Sequence, residues 1–451
     1  MRSLHINVLK NFTLPIWVIY LNLCLIIGGL YTLPFIFPAS IGTLYIIFCT
    51  LMLVLSLSLY WIPSPSLASS APPPPSKAQP IDPKTVLYLS LIILIALFPL
   101  SPLTSNDSQR YLWDGAVFMA GFDPYITAPN DGVVSELRTL WPTPPEHEKY
   151  PTLYPPGAMI LFGLASLGRP IYGFWIWKFI VTLGACASLI FMYKLLARRG
   201  QLNAFVLFAF NPIFLFEIGI GTHLDGICLL GIIAALLVIH KEKFIMAGVI
   251  IGLAATVKFL PAIMIGPFLF YLKPKQAMQL CLSAMMTFLT IYGLIFMLGY
   301  KPIGLLPVFF ETWRGGAPLF PILDGIRTSL GLSGLYFLIS LLCLAVIGFA
   351  LSARMASKGY IETALMISFL VPLLLSPILF PWYLLALIPI WVLKPNMTGL
   401  ACIALAPLSY EVLNQWLSKA VWDQADWPHY ILLGGLIIGF AYDYRRQKQP
   451  A

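Results

Sequence analysis

Residues 87–115 read LYLSLIILIALFPLSPLTSNDSQRYLWDG, an apolar run that ends abruptly in a polar segment. About 20 apolar residues are needed to cross ~30 Å of hydrocarbon, and apolar runs like this one recur along the whole chain. Of the 451 residues, 59% are hydrophobic and only 10% are charged, whereas about 25% are charged in a typical soluble domain. The sequence therefore predicts an all-α, polytopic transmembrane helical bundle with about 12–14 spans of that length.

Composition also predicts how the chain is divided into membrane-spanning parts and linkers. The prolines at 72–75 remove backbone donors and favour an extended chain, so the stretch around them is a linker. The predicted parts are two N-terminal spans in 1–62, a Pro-rich cytoplasmic linker at 63–84, a transmembrane domain at 85–441 that includes a long external loop at 104–155, and a cytoplasmic tail at 442–451.

Basic residues predict the orientation of the spans, because short cytoplasmic loops carry an excess of Lys and Arg. If the spans alternate, most basic residues fall on one side, and the net charge of +9 then needs no nucleic-acid partner. This layout requires two short helices within 244–272 that turn near Lys258, and a helix at 157–168 that does not cross. The residues on the predicted cytoplasmic side are Arg2, Lys10, Lys77, Lys84, Arg198, Arg199, Lys241, Lys243, Lys273, Lys275, Arg354, Lys358, Lys394, Arg445, Arg446 and Lys448.

The loop at 104–155 is rich in acidic residues. It carries Asp107, Asp114, Asp123, Asp131, Glu136, Glu146 and Glu148, out of 18 acidic residues in the chain. A carboxylate in an aqueous loop can act as general base toward a sugar hydroxyl, and a nearby Arg can bind a phosphate with two hydrogen bonds. The alternative is that these acids are solvated loop residues among turn-forming Pro and Gly.

Three later segments place further polar residues on the same predicted side. Residues 217–226 read EIGIGTHLDG, residues 258–261 read KFLP, and residues 381–385 read PWYLL. His223 and Asp225 lie two residues apart, with Glu217 about two helical turns earlier. From the residues alone, these three could hold a metal ion, contact a substrate, or form a structural hydrogen-bond network.

A few basic residues fall on the side where basic residues are rare. Lys258, Arg314 and Arg327 are such residues, and an ionisable group near the membrane is by default a functional hypothesis. The alternative for Lys258 is a side chain that reaches to the interface, and for Arg314 an ordinary loop residue. Lys178, inside a predicted span, is a further candidate.

The order of these motifs resembles the GT-C membrane glycosyltransferases, and in particular the bacterial mannosyltransferases that use polyprenyl-phosphate-mannose. That family has an acidic residue followed by RYLWDGR, AGxNPY and YPP. Here Asp107 precedes RYLWDG at 110–115, DPY lies at 123–125, and YPP lies at 154–156. This chain has Ala116 where the family often has Arg, and Asp123 where it often has Asn. The resemblance covers about residues 85–395 and leaves the first two spans outside.

The resemblance implies an inverting glycosyltransferase of the GT-C fold, a multi-pass protein of a bacterial plasma membrane with its active site on the non-cytoplasmic side. Its implied partners are a polyprenyl-phosphate-linked sugar, a glycan, lipid or protein acceptor, and membrane lipid. No cofactor is certain, and a divalent cation stays open. The implied catalytic residues are Asp107 as base and Asp114 in reserve. The implied donor-phosphate or substrate ligands are Arg110, Tyr111, Lys258, Arg314, His223, Asp225, Trp382 and Tyr383.

Helical geometry gives Asp107 a second interpretation. If 107–120 is helical, Asp107 and Asp114 lie two turns apart on one face, but Asp107 could also cap that helix.

Other membrane functions are compatible with the composition. A transporter or flippase of lipid-linked sugars is expected to show internal repeats around a midplane site, and no repeat is evident. A lipid-linked-sugar polymerase or ligase is expected to have its large external loop late in the chain, whereas here it is early. A purely structural membrane subunit would not need the acidic loop.

Overall fold

The computed structural model describes residues 16–61, 81–304, 314–419 and 425–448. The predicted linker at 63–84 lies outside the described residues except for 81–84, and so does the tail beyond residue 448. Within the described ranges, helices dominate and the only pairing of β type is an isolated bridge between Gly315–Gly316 and Ile378.

The α-helices of the described ranges are numbered in chain order. They are α1 (Ile16–Ile36), α2 (Ile41–Trp61), α3 (Pro83–Leu97), α4 (Asp107–Met119), α5 (Ser135–Leu140), α6 (Pro156–Ser166), α7 (Arg169–Arg198), α8 (Phe205–Ala209), α9 (Pro212–Gly219), α10 (Asp225–Ile239), α11 (Phe244–Val257), α12 (Ile265–Tyr271), α13 (Pro274–Met297), α14 (Phe320–Ser329), α15 (Gly334–Ser357), α16 (Ile361–Leu375), α17 (Ile388–Leu393), α18 (Met397–Leu405), α19 (Val412–Lys419) and α20 (Trp427–Lys448). Short 3₁₀ segments include Leu260–Met264, Pro381–Ala386 and Ala406–Glu411.

The helices confirm the predicted all-α membrane bundle. Six helical stretches of the described chain are long and apolar enough to cross a membrane, and a seventh span is possible if the pair α8–α9, bent by 45°, counts as one. Six further apolar helices have 10–17 residues. The predicted range of about 12–14 spans is reached only when these shorter helices are included, because several apolar runs are broken into two pieces.

The centre of the bundle is built around the broken pair α8–α9. Pro212 starts α9, and the Asn211 side chain accepts hydrogen bonds from the N–H groups of Ile213 and Phe214, which caps the helix. Every residue of α9 is buried, as expected for a helix that is apolar on all sides. The one carboxylate in this helix, Glu217, is therefore carried into the core.

Polar residues gather at two opposite ends of the bundle. At one end, a cavity of about 420 Å³ is lined by residues that include Arg199, His240, Lys273 and Glu362. At the other end lies the loop 104–155 with its own cavity. Phe244 and Lys273 line the same cavity, so α11 and α13 begin at the same end.

The packing of α11 on α13 agrees with the predicted turn near Lys258. A Cβ on Gly248 would meet Leu280 and Ser283, and one on Gly252 would meet Ala284 and Thr287, so the two helices run parallel. Lys258 itself has extended backbone angles, φ −154° and ψ 139°, which ends α11. The chain therefore returns through Leu260–Tyr271 between two parallel helices.

Helix α4 is held against α6 by a close approach of their backbones. A Cβ on Gly115 would lie 2.2 Å from the carbonyl oxygen of Phe162, so only glycine permits this distance. The contact fixes the whole of α4, and with it the carboxylates that α4 carries.

Candidate active site

A cavity of about 540 Å³ opens where the loop 104–155 meets the ends of the late helices. Its wall combines acidic, basic and aromatic side chains from distant parts of the sequence. They include Asp107, Glu146, His147, Arg314, Trp382, Tyr410 and Trp416. A concave site with a few convergent polar groups among aromatic rings is the usual form of a small-molecule site.

Asp107 is the first residue of α4 and presents its carboxylate to this cavity. Its side chain is 25% exposed, and Oδ2 accepts a hydrogen bond from the Tyr111 hydroxyl at 3.3 Å. The N-cap position belongs to Asn106, so Asp107 is not the cap. Its negative charge in the first turn is stabilised by the partial positive charge of the helix N-terminus.

His223 lies behind Asp107 and is fully buried. Its Nδ1 is 3.5 Å from Asp107 Oδ2, and its Nε2 is 3.3 Å from Glu217 Oε2. Glu217 is also fully buried and accepts a hydrogen bond from the Tyr410 hydroxyl. The imidazole therefore sits between two carboxylates, one facing the cavity and one in the core.

The backbone before His223 is shaped to place this ring. Thr222 has a φ of +55°, which is strained for a β-branched residue, and its carbonyl accepts a hydrogen bond from Trp177 Nε1 at 2.9 Å. A Cβ on Gly221 would lie 2.7 Å from His223 Cδ2. The ring of His223 stacks on Trp382, with centroids 4.0 Å apart and planes at 10°.

The surroundings of His223 and Asp107, which both lie outside the apolar helices, shift the pKa values of these two side chains. Burial opposes protonation of His223, but the carboxylates of Asp107 and Glu217 outweigh it and raise the pKa of His223 to about 9. For Asp107, burial acts to raise the pKa, but His223 outweighs it and the pKa is lowered. At neutral pH the pair is therefore an imidazolium beside a carboxylate.

Arg110 and Asp114 form a second, separate cluster on α4. Arg110 Nε lies 2.8 Å from Asp114 Oδ1, and its Nη1 donates to the carbonyl oxygens of His147 and Tyr150 at 3.1 and 2.8 Å. Thr152 Oγ1 donates to Asp114 Oδ2 at 2.7 Å. Burial raises the pKa of Asp114 although Arg110 opposes this. Both side chains are buried, so the cluster ties the end of the loop to α4.

Lys258 and Asp225 form an ion pair next to Tyr383. Lys258 Nζ lies 2.7 Å from Asp225 Oδ1 and 4.2 Å from the centroid of the Tyr383 ring. The cation and the carboxylate come from the turn after α11 and the first residue of α10, so the pair joins these two elements at the cavity end of the bundle.

Backbone hydrogen bonds of the next residue hold Arg314 at the cavity wall. Gly315 N–H donates to the carbonyl oxygen of Pro377 at 3.3 Å, and Leu379 N–H donates to that of Gly315 at 2.8 Å. This contact brings Arg314 beside the segment that carries Trp382. The Arg314 guanidinium lies 5.0 Å from the centroid of the Phe320 ring.

Comparison with known proteins now assigns the chain. Residues 35–273 match the protein family described as "Alpha-(1->6)-mannopyranosyltransferase, N-terminal domain", which is more than half of the chain. The chain belongs to this mannosyltransferase family. The match confirms the resemblance found in the sequence motifs, and it begins at residue 35, so it includes α2. The packing agrees, because Ser56 and Tyr45 of α2 contact Val206 and Phe216 in the core.

One solved structure also matches. It is the crystal structure of the Archaeoglobus fulgidus oligosaccharyltransferase tethered with an acceptor peptide containing the NVT sequon via a disulfide bond. The identity is 14% and the TM-score 0.31, over 80% of this chain and 54% of that one. The present chain thus spans about half the length of that protein. No curated protein matches the chain.

The mannosyltransferase motifs of the chain do not all reach the cavity. Asp107, predicted as the base, and Arg314 and Trp382, predicted as substrate ligands, line the cavity. Arg110 and Asp114 are buried in their own cluster, which favours a structural role. Tyr111 is buried under Asp107 and stacks on Phe162.

Among three further predicted ligands, Lys258 contacts both Asp225 and Tyr383. His223 does not line the cavity itself, but it contacts two residues that do, Asp107 and Trp382.

The remaining basic candidates lie elsewhere. Lys178 is buried on α7 and donates to the carbonyl oxygen of Leu100. Arg327 pairs with Asp324 on α14 at 2.6 Å. Among the described residues, no group of three or more His, Cys, Asp and Glu side chains is arranged to hold a metal ion. Of the three residues considered for a metal, Asp225 faces Lys258 while His223 and Glu217 face each other.

Several cavity residues were not predicted. Glu146 and His147 belong to the acidic loop, and Asn106 Nδ2 donates to Glu146 Oε1 at 2.7 Å. Their place in this loop was the only feature of the sequence that could have predicted them as cavity residues. Tyr410 and Trp416 follow Asp107 by more than three hundred residues, in segments without a motif, and only the fold brings them together.

Proposed function

We propose that the chain is a membrane glycosyltransferase that moves a mannosyl residue from polyprenyl-phosphate-mannose to a hydroxyl of a glycan, lipid or protein acceptor. The single observation that carries this proposal is Asp107. It is a carboxylate at a helix N-terminus, facing a cavity of about 540 Å³, in a chain of an α-(1→6)-mannopyranosyltransferase family.

The proposed reaction is one inverting displacement. The acceptor hydroxyl attacks the anomeric carbon, Asp107 accepts the hydroxyl proton, and the bond to the polyprenyl phosphate breaks with its electron pair on the phosphate. A positioned general base contributes about 10²–10⁴-fold to such a step. Asp107 is a weak base in the ground state, because its pKa is lowered, but the proton is transferred as the attack makes the hydroxyl more acidic.

Positive charge at the cavity supports departure of the phosphate. Arg314 lines the cavity and can approach the developing charge of the leaving group. Lys258 is engaged with Asp225 and stacks over Tyr383, so it contributes to the field behind the site. Trp416 lines the cavity and can offer an aromatic face on which a sugar ring stacks. We place this site on the non-cytoplasmic side, because the basic ends of the helices lie at the opposite end.

A transfer assay with two donors tests the proposal. Purified protein in lipid vesicles is given radiolabelled polyprenyl-phosphate-mannose or a nucleotide-linked mannose, together with a mixture of short α-mannosides and membrane lipids. Label should move from the lipid donor to an acceptor, and Arg314→Ala should lower the turnover. Transfer only from the nucleotide donor, or no transfer from either, would contradict the assignment.

A further inference from the structure

His223 lies between two carboxylates, and although neither ring nitrogen makes a hydrogen bond in the structure, the two negative charges favour its charged form. Both ring nitrogens face a carboxylate oxygen, at 3.5 Å for Asp107 and 3.3 Å for Glu217. A neutral imidazole carries one N–H and one lone pair, so one nitrogen would then point its lone pair at a carboxylate. With both nitrogens protonated, the ring is attracted by each of its neighbours.

We propose that His223 is an imidazolium clamp: it stays doubly protonated between Asp107 and Glu217 and holds the Asp107 carboxylate in position toward the cavity. Glu217 is the buried counter-charge that keeps the clamp protonated. His223 touches no cavity surface, so it is a positioning residue and not a catalytic one. This inference rests on the proposed function only in naming Asp107 as the base.

The Glu217 side of the clamp is also fixed by packing in the core. Glu217 Oε1 accepts the Tyr410 hydroxyl, and Tyr410 is itself buried in edge-on contact with Tyr45 at 5.2 Å. Trp382 covers the face of the imidazole. The ring therefore cannot turn away from Asp107 without breaking the contact to Glu217 and the stacking on Trp382.

Other groups around the clamp do not replace its charge. Burial lowers the pKa of His147, which also faces Asp107. Tyr111 and Tyr154 from the loop surround the same carboxylate as neutral phenols. Asp225, two residues beyond His223, is balanced by Lys258.

The clamp predicts an upper pH limit for transfer. His223 loses its proton near its raised pKa of about 9, and kcat/KM should fall there. Glu217→Gln removes one of the two opposite charges and should lower the pKa of His223 by about 1–3 units, which moves the fall in rate toward neutral pH. Gln has the size of Glu, and its side-chain oxygen can still accept the Tyr410 hydroxyl. His223→Gln should abolish the alkaline fall and lower kcat about 10²-fold, because Asp107 loses its position.

A second readout needs no substrate. A raised histidine pKa stabilises the folded protein fully below the unfolded pKa of 6.5 and progressively less as pH rises toward about 9. The unfolding temperature of the wild-type protein in detergent should therefore fall between these two pH values. In Glu217→Gln the fall should begin at the same pH, because the unfolded pKa is unchanged, but it should be smaller and end at lower pH.

The matched control is Glu136→Gln, an exposed acid on the loop 104–155, which should keep the wild-type pH dependence of rate and unfolding. A folded Glu217→Gln protein with the wild-type alkaline limb and the wild-type unfolding profile would overturn the clamp, even if His223→Gln fails to fold. If the wild-type protein transfers no sugar but Glu217→Gln still changes the unfolding profile as expected, the proposed function is contradicted and the clamp is supported.

Discussion

At the scale of single residues, the two carboxylates of α4 have opposite surroundings although they lie on one helix. Asp107 opens to the cavity, whereas Asp114 is enclosed by Arg110 and Thr152. A raised pKa alone would make Asp114 the stronger base. Position excludes Asp114 as the base before pKa is considered, because a general base must approach the proton that it removes and Asp114 does not line the cavity.

Asp114→Ala tests this division. It leaves Arg110 as a buried charge without its carboxylate partner, and breaking a buried pair in this way costs about 3–5 kcal/mol of folding free energy. The unfolding temperature in detergent should fall clearly below that of Glu136→Ala, the exposed control on the same loop. A folded Asp114→Ala protein of wild-type stability without transfer activity would instead move the role of base to Asp114.

Sequence motifs predicted individual residues, including the distant Arg314 and Trp382, but they predicted contacts between residues only within one element. The motif around Asp107 could be interpreted because Asp107, Tyr111 and Asp114 share one helix. The residues of the clamp come from four separate segments: α4, α9, the turn before α10 and the segment of Tyr410. No local sequence pattern predicts that these segments come together. Asp225 was paired with His223 by spacing, but the structure turns it toward Lys258.

At the scale of elements, the long apolar runs predicted the helices well, since a membrane span depends on composition over about 20 residues. The breaks in these helices were harder to predict. The chain bends between α8 and α9, where Asn211 and Pro212 start a new helix. Asn-Pro is a start signal in the sequence, but it does not tell which carboxylate the second helix buries.

Gly115→Ala tests how the packing of α4 supports the site. In a helix, Gly to Ala usually stabilises by up to about 1 kcal/mol. Here the added Cβ meets the backbone carbonyl of Phe162, which cannot rotate aside, and overpacking costs about 1–3 kcal/mol. The steric cost should exceed the gain in helix propensity, so both the unfolding temperature and the transfer rate should fall.

The control for this change is Gly132→Ala. A Cβ there meets no atom within 4 Å, and the residue lies on the same loop. It should leave the unfolding temperature and the rate unchanged. Equal behaviour of the two variants would show that α4 does not depend on its close contact with α6.

At the scale of the whole molecule, the chain separates a basic end from an end that carries the candidate active site. Cysteine labelling in intact cells can determine which end faces the cytoplasm. Cysteines introduced at Ser135 and at Ser76 are treated with an impermeant thiol reagent. Ser135, on the loop, should be labelled and Ser76 protected, since the basic ends belong on the cytoplasmic side. The reverse pattern would invert the orientation.

The most direct test of the whole account is the transfer rate of Asp107→Asn with polyprenyl-phosphate-mannose as donor. Asn preserves the shape of the side chain but cannot take up a proton, so kcat should fall about 10²–10⁴-fold in protein that is folded and as stable as the Glu136→Gln control. A folded Asp107→Asn protein that transfers mannose at the wild-type rate would contradict the account.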